Sequence, residues 1–353
     1  MKYPLFYPNI HKEDILREIS DTLSTRWIGE GPKVKLFEQK FGKFLGVKYP
    51  IAVNSCTSSL HLAYILAGAK KGTEVIAPVF TCSATIHAIM YTGATPVFAD
   101  IKDDFTIDPK DVAKKITKKT VAIVAVDYGG KRCDYKQLKK FGLPIIADKA
   151  QSLSYDKNAD YNCFGFQAIK LMTTCDGGML VTKTKSDYDR GKRLRWFGID
   201  RNRSFKEKNT REVAASVSEV GYKYQMTDID ACFGLVALKH IKKDLLYRQK
   251  LVNTYNRLLT GINGVKIVDN HDSDNWLYTI LVDDRNKFFE IMNKNEIEVS
   301  MAHARIDNVE VFRKYKNKCP NMDKLESQYV CLPLNPKITV KDVVQICKVI
   351  KSI

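Results

Sequence analysis

The sequence predicts an α/β protein of two lobes, the larger one built on a mainly parallel sheet with helices on both faces. Three observations predict it. The chain has 353 residues, about twice the ~150 of a common domain. Between residues 50 and 150, short β-branched runs alternate with amphipathic stretches, the texture of strands joined by helical crossovers. After residue 235 that alternation stops, and a long helical pattern leads into a different mixture.

Taken in order, Ile51-Ala52-Val53 reads as a buried strand and leads into apolar periodicity from Leu60 to Leu66. Val75-Ile76-Ala77 precedes a helical stretch from Ala84 to Tyr91, and Pro96-Val97-Phe98 precedes one around Asp111 to Ile116. Val121 to Val126 precedes Tyr135 to Phe141, and Pro144 to Ala147 closes the series. Parallel strands require such crossovers, and a sheet covered on both faces shows apolar runs instead of strict alternation. The long pattern from Asp228 to Leu259 leads to Trp276-Leu277-Tyr278-Thr279-Ile280-Leu281-Val282, read as a strand that opens a smaller α+β lobe. The expected boundary is at 245, giving domains 1–245 and 246–353, with the first ~30 residues free to pack on either.

Composition removes several classes of function. At 44% hydrophobic and 27% charged residues, the chain is expected to be globular and soluble, not disordered. No apolar run approaches the ~18 residues of a membrane span. Met1 to Ile10 lacks the basic-then-apolar layout of a secretory leader, so a cytoplasmic location is expected. Nine cysteines without a CxxC pair argue for free thiols in a reducing compartment and against a metal site. The excess of 57 basic over 40 acidic residues gives +17, and nucleic-acid binding would leave a basic stripe. Here the lysines come in ones and twos, as in Lys70-Lys71, Lys114-Lys115 and Lys118-Lys119. No nucleic-acid partner is expected. A lysine-rich composition or an anionic small substrate accounts for the charge.

In open α/β sheets, ligands sit outside the carboxyl ends of the strands, and three such ends carry suggestive groups. Asn54-Ser55-Cys56-Thr57-Ser58-Ser59 lies between a strand and a helix. Free N–H groups and small hydroxyls there suit a phosphate, although a simple capping run is the more common meaning. No GxGxxG occurs in the chain. Asp148 follows the apolar run Leu143 to Ala147. A carboxylate buried there needs a partner, either the start of the next helix or a cationic ring nitrogen of a ligand. Lys170 ends the run Phe164-Gly165-Phe166-Gln167-Ala168-Ile169-Lys170, ahead of Cys175-Asp176-Gly177-Gly178. Desolvation would lower its pKa and free the amine as a nucleophile; a surface lysine is the ordinary alternative. A phosphate cradle, a strand-end acid and a desolvated lysine are together the requirements of pyridoxal 5′-phosphate. The acid keeps the ring nitrogen protonated, and the lysine forms the Schiff base.

With those residues in view, the sequence resembles the DegT/DnrJ/EryC1/StrS family of fold-type I pyridoxal-phosphate sugar aminotransferases. The likeness runs through Trp27-Ile28-Gly29-Glu30-Gly31-Pro32, Phe37-Glu38, Asn54-Ser55-Cys56-Thr57 and Gly93-Ala94-Thr95-Pro96-Val97-Phe98. It continues through Asp148-Lys149-Ala150-Gln151, Lys170, Gly177-Gly178, Gly221-Tyr222-Lys223-Tyr224-Gln225-Met226-Thr227-Asp228-Ile229 and Cys331-Leu332-Pro333-Leu334. The resemblance implies an aspartate aminotransferase-like fold, with a seven-stranded sheet in the large domain. It implies that Lys170 carries the cofactor, Asp148 pairs with the ring nitrogen, and Gln151 bonds near the ring hydroxyl. Cys56 and Thr57 would bind phosphate through backbone N–H groups. Lys223 would reach the cofactor phosphate of the neighbouring subunit in a homodimer.

The sequence departs from the family pattern in three places. Cys56 stands where glycine is common, Gly165 where a phosphate-binding serine is common, and Cys82 where an aromatic stacks on the ring. Some family members carry histidine in place of the lysine and dehydrate their substrate, so Lys170 implies amino transfer. The implied donor is glutamate, and the implied acceptor is a keto sugar on dTDP, UDP or GDP. The Lys223 form resembles the branch that aminates C4 of 4-keto-6-deoxy sugars, with C3 amination as the alternative. Substrate-binding candidates are Trp27 and Gly29 of the first motif, Arg201 as a planar fork for the donor carboxylate, and His303 and Arg305 for the diphosphate. A solvated loop is the plain alternative for His303 and Arg305. A catalytically silent regulator on the same fold is the rival of another class, and Lys170 with Asp148 oppose it.

Overall fold

The computed structural model describes residues 1–200 and 217–353. Two helices, α1 (Lys12–Thr25) and α2 (Pro32–Leu45), precede a seven-stranded sheet. Its strands are β1 (Pro50–Val53), β2 (Glu74–Pro78), β3 (Thr95–Ala99), β4 (Thr120–Val126), β5 (Ile145–Lys149), β6 (Tyr161–Gly165) and β7 (Gly178–Thr182), in the order β1-β7-β6-β5-β4-β2-β3. The helices between them are α3 (Cys56–Leu66), α4 (Ser83–Tyr91), α5 (Pro109–Lys115) and α6 (Tyr135–Lys139), with α7 (Lys185–Arg195) after β7. From β2 to β6 all neighbours pair in parallel. β7 runs antiparallel to both β6 and β1. The link from β6 to β7 holds no helix, so the chain turns back instead of crossing over.

The long helix α8 (Asp228–Leu259) starts in a capping box of Thr227 and Asp230, which satisfies orphan N–H groups reciprocally. The expected boundary at 245 falls inside it. Leu235 and Ile241 are buried with the large sheet. Leu251, Val252, Tyr255 and Leu259 belong to a second core with Tyr3, Ile280, Val330 and Ile346. That core surrounds an antiparallel sheet of β8 (Val265–Ile267), β9 (Tyr278–Val282) and β10 (Tyr329–Leu332), in the order β10-β9-β8. Helices α9 (Arg285–Lys294), α10 (Pro320–Leu325) and α11 (Val340–Lys351) complete the chain. The strand expected from Trp276 begins at Tyr278. Trp276 and Leu277 instead donate their N–H groups to the Gly129 carbonyl, at 2.8 and 3.2 Å, which ties this segment to the turn after β4.

Two motif residues turn out to hold the frame. The Asp228 carboxylate accepts the N–H groups of Gly31, Lys33 and Val34 at 2.9 to 3.0 Å, capping α2 from across the chain. Glu38 is buried, pairs with Arg195 at 2.9 Å and accepts the Ala52 N–H at 2.9 Å, so α2 and α7 are fastened to edge strand β1. Among the described residues, no helix is long and apolar enough to cross a membrane.

Candidate active site

The parallel register brings the carboxyl ends of β4, β5 and β6 together. Successive strand residues face opposite sides, and β5 uses both. Lys149 is buried and pairs with Asp127 at 2.6 Å, which also accepts the Tyr135 hydroxyl at 2.6 Å. Asp148, 3% exposed, instead accepts the Thr85 hydroxyl at 2.8 Å and the Ala150 N–H at 3.1 Å, with Cys56 Sγ 4.0 Å away. Among the described residues it has no ion pair. Burial raises its pKa from the ordinary carboxylate value, outweighing the Thr85 and Ala150 hydrogen bonds and the attraction of Lys170. An ionised carboxylate so placed calls for a positive group.

A cavity of about 300 Å³ opens beside it, lined by Ser55, Cys56, Thr57, Thr81, Cys82, Asp148, Gln151, Lys170 and their neighbours. Lys170 lies in the turn after β6. Its Nζ rests 3.9 Å from the centroid of the Trp276 ring, whose Nε1–H donates to the Ile169 carbonyl at 2.9 Å. Burial lowers the lysine pKa, with Cys82, Cys56 and Asp148 opposing. More of the amine is therefore the neutral nucleophile near neutral pH.

Opposite stands the start of α3. Ser55 caps it, accepting the Ser58 N–H at 3.0 Å. The first N–H groups of a helix have no partner within it, so those of Cys56 and Thr57 are left for an anion. An uncompensated buried acid, an unpaired helix start and a depressed amine on one cavity fit pyridoxal phosphate. Bound there, that group supplies an electron sink, while the chain supplies the counter-charge, the anion site and the nucleophile.

The departures at Cys56 and Gly165 turn out to be linked. A Cβ on Gly165 would lie 3.1 Å from Cys56 Cβ and 3.2 Å from Ala150, tighter than ordinary packing. The volume that a serine at 165 would need is taken by the Cys56 side chain together with Ala150. Gly178 has a similar reason: a Cβ there would sit 2.6 Å from the Ser55 backbone, so β7 approaches the start of α3 only without a side chain. Cys82 lines the cavity at the start of α4, and among the described residues no aromatic side chain lines it. Phe80 is fully buried against Phe105, Tyr128 and Tyr329, with ring centroids 4.9 to 5.0 Å apart.

The remaining expected residues scatter. His303 joins the site: Gln151 Nε2 lies 2.8 Å from its Nε2. Burial and nearby Lys170 lower its pKa to about 3, so it is an uncharged hydrogen-bonding group and no cation for a diphosphate. Arg305 is 3% exposed and bound to Asp307 at 2.5 Å, to Asp323 and to Glu326. Its guanidinium is engaged by Asp307, Asp323 of α10 and Glu326, so it does not lie in a solvated loop, the plain alternative to contact with a diphosphate. Trp27, exposed, donates its Nε1–H to the Glu30 carbonyl at 3.0 Å, and the Gly29 carbonyl accepts the Asp228 N–H at 2.7 Å. Neither lines the Lys170 cavity. Arg201 lies outside the described residues. Lys223 is exposed, with Nζ 4.0 Å from the Trp196 ring centroid, and is absent from the lining of its own chain's cavity. Thr85 and Trp276 were not legible beforehand, since a threonine inside a helix and a tryptophan beside a strand have core roles far more often.

Volume alone does not find the site. A larger polar cavity of about 540 Å³, bordered by Trp27, Glu38, Lys192 and Arg195, contains neither Lys170 nor Asp148.

Comparison with known proteins agrees with the chemistry. The sequence profile of the DegT/DnrJ/EryC1/StrS aminotransferase family matches residues 9–351. GDP-perosamine synthase of Escherichia coli O157:H7 is 28% identical, over 100% of this chain and 99% of its own. The crystal structure of the sugar aminotransferase CalS13 from Micromonospora echinospora superposes with a TM-score of 0.92 at 25% identity, covering 99% of each chain. Spr1654 of Streptococcus pneumoniae, solved in its PLP form, gives 0.90 at 26% identity over 99% of this chain and 97% of that one. A profile match from end to end, on a cavity whose charges already ask for this cofactor, means that the chain belongs to the DegT/DnrJ/EryC1/StrS family and is a pyridoxal-phosphate-dependent sugar aminotransferase.

Proposed function

We propose that this enzyme takes the amino group of glutamate and delivers it to the C4 ketone of a nucleotide-diphosphate-linked 4-keto-6-deoxy sugar. The products are 2-oxoglutarate and a 4-amino-4,6-dideoxy sugar nucleotide; amino group and carbonyl oxygen change places, so atoms balance. The observation that carries amino transfer is the Lys170 amine, depressed by burial on the same cavity as the uncompensated Asp148. Support for a nucleotide sugar comes from the similarity to GDP-perosamine synthase, and the net charge of +17 favours a dianionic substrate. In this reading Lys170 is the nucleophile and proton carrier, and Asp148 holds the positive ring. Gln151 donates to the ring oxygen, the Cys56 and Thr57 amides hold the phosphate, and Cys82 forms the adjoining wall. The test is mass spectrometry of products from a panel of dTDP-, UDP- and GDP-linked 4-keto and 3-keto sugars with glutamate. Conversion of a 4-keto member is expected. Conversion of 3-keto members alone would move the reaction to C3.

The second part of the proposal is a homodimer with shared sites, in which Lys223 serves the partner's cofactor phosphate. Its exposure and its absence from its own chain's cavity support this reading. Charge-assisted contact with a dianion is worth more than a neutral one, and Gly165 leaves the cradle without a hydroxyl. Mixing inactive Lys170→Ala subunits with impaired Lys223→Ala subunits should restore activity, because each heterodimer then holds one intact site. If mixing restores nothing once subunit exchange is shown, Lys223 acts within its own chain or not at all.

A further inference from the structure

Gln151 lines the cavity from the large sheet, and its amide orientation is fixed by a group that has no alternative role. The Gly129 N–H, in the turn after β4 where φ is +62°, can only donate, and it lies 2.6 Å from Gln151 Oε1. The other end of the amide must therefore be the NH2, and it faces His303 Nε2 at 2.8 Å. An amide nitrogen only donates, so Nε2 accepts and the imidazole proton sits on Nδ1. The ring is held from its own side. Its backbone carbonyl accepts the Tyr329 hydroxyl at 2.6 Å, and its edge meets Phe80 and Tyr128 at 6.0 and 6.3 Å between centroids. His303 and Tyr329 come from the C-terminal segment, Gln151 and Gly129 from the large sheet. This hydrogen bond, like that of Trp276 to Ile169, joins the C-terminal part of the chain to the cavity wall.

We propose that His303 is a positioning residue. By accepting one hydrogen of the Gln151 amide, it holds the second N–H toward the cavity for the oxygen substituent of the cofactor ring. This rests on the reading of the cavity as the cofactor site. The consequence is electrostatic. A donor to that oxygen drains negative charge from it, so the proton on the neighbouring nitrogen of the lysine-bound cofactor is held less tightly. Without His303 the amide is held only at Oε1, by the Gly129 N–H, so its second N–H is aimed less firmly at that oxygen and the proton is held more tightly.

The holoenzyme is titrated with pH while its visible absorbance is followed, for wild type, His303→Ala and His303→Gln. Lys170, Asp148, Cys56 and Cys82 border the cavity in all three. His303→Ala should raise the midpoint by about one unit, a tenfold change in proton affinity. His303→Gln places a carbonyl oxygen near the Nε2 position and should return the midpoint to the wild-type value. Nitrogen NMR of the cofactor-free protein reads the geometry directly: Nε2 bare and Nδ1 protonated from about pH 5 to 8. A protonated Nε2, or an unmoved midpoint in His303→Ala, overturns the inference while the cofactor site stands. A wild-type protein with no visible band overturns both the site reading and this inference.

Discussion

Lys170→Ala is expected to lose at least about a thousandfold in turnover, beyond what one misplaced proton carrier costs, because the covalent attachment goes as well. The anion site at α3 and the carboxylate of Asp148 remain, so the variant should still bind the cofactor. The attachment has its own measurement. Hydride reduction followed by intact mass should add the cofactor to wild type and nothing to the variant. Neighbours cannot substitute for the missing amine. Lys149, the nearest lysine in sequence to Asp148, faces the other side of β5 and is bound to Asp127. Retention of more than about one per cent of turnover would remove Lys170 from its role.

Asp148→Asn should separate activity from stability, in opposite directions. The amide keeps the size of the side chain and can still meet the Thr85 hydroxyl, but it carries no charge to set against a positive ring. Turnover should fall by about a hundredfold or more, the usual consequence of deleting one preorganised stabilising group. The cofactor-free protein should respond the other way. Burial raises the folded-state pKa of Asp148 above its unfolded value. Its contribution to stability is therefore most favourable below the unfolded pKa and declines as pH rises through the folded one. Above that range the buried charge is a cost, and asparagine relieves it. Thermal melting of the cofactor-free variant should be at or above wild type. Wild-type turnover in the variant would leave Asp148 as a turn cap only.

Much of this arrangement is legible in the sequence, for identifiable reasons. Strands buried on both faces show as apolar runs, which is why β1 to β5 and the helices between them were evident. The reversed direction of β7 was less so, since it depends on a short link whose conformation has no periodic signature. Asp148 and Lys170 stand out because each is a lone ionisable group at the end of an apolar run. What stayed hidden joins distant parts of the chain: Trp276 against Lys170, His303 against Gln151, Asp323 against Arg305. A histidine and an arginine close together in a loop-like stretch look alike in sequence. Only the fold shows that one turns to the cavity and the other to three carboxylates.

The shared volume of Cys56 and Gly165 has a consequence for descent. Two side chains that compete for one space are coupled, so a change at one position alters what the other can hold. The order of change is constrained too. Loss of the cysteine side chain first removes the 3.1 Å contact, and a serine at 165 then has only Ala150, 3.2 Å away, to displace. The reverse order must pass through a chain in which both are present, with their Cβ atoms about 3.1 Å apart. Overpacking of that kind commonly costs ~1–3 kcal/mol, a large fraction of a domain's net stability. Of the two orders of change, the one that gives up the cysteine side chain first therefore passes through the less crowded intermediate.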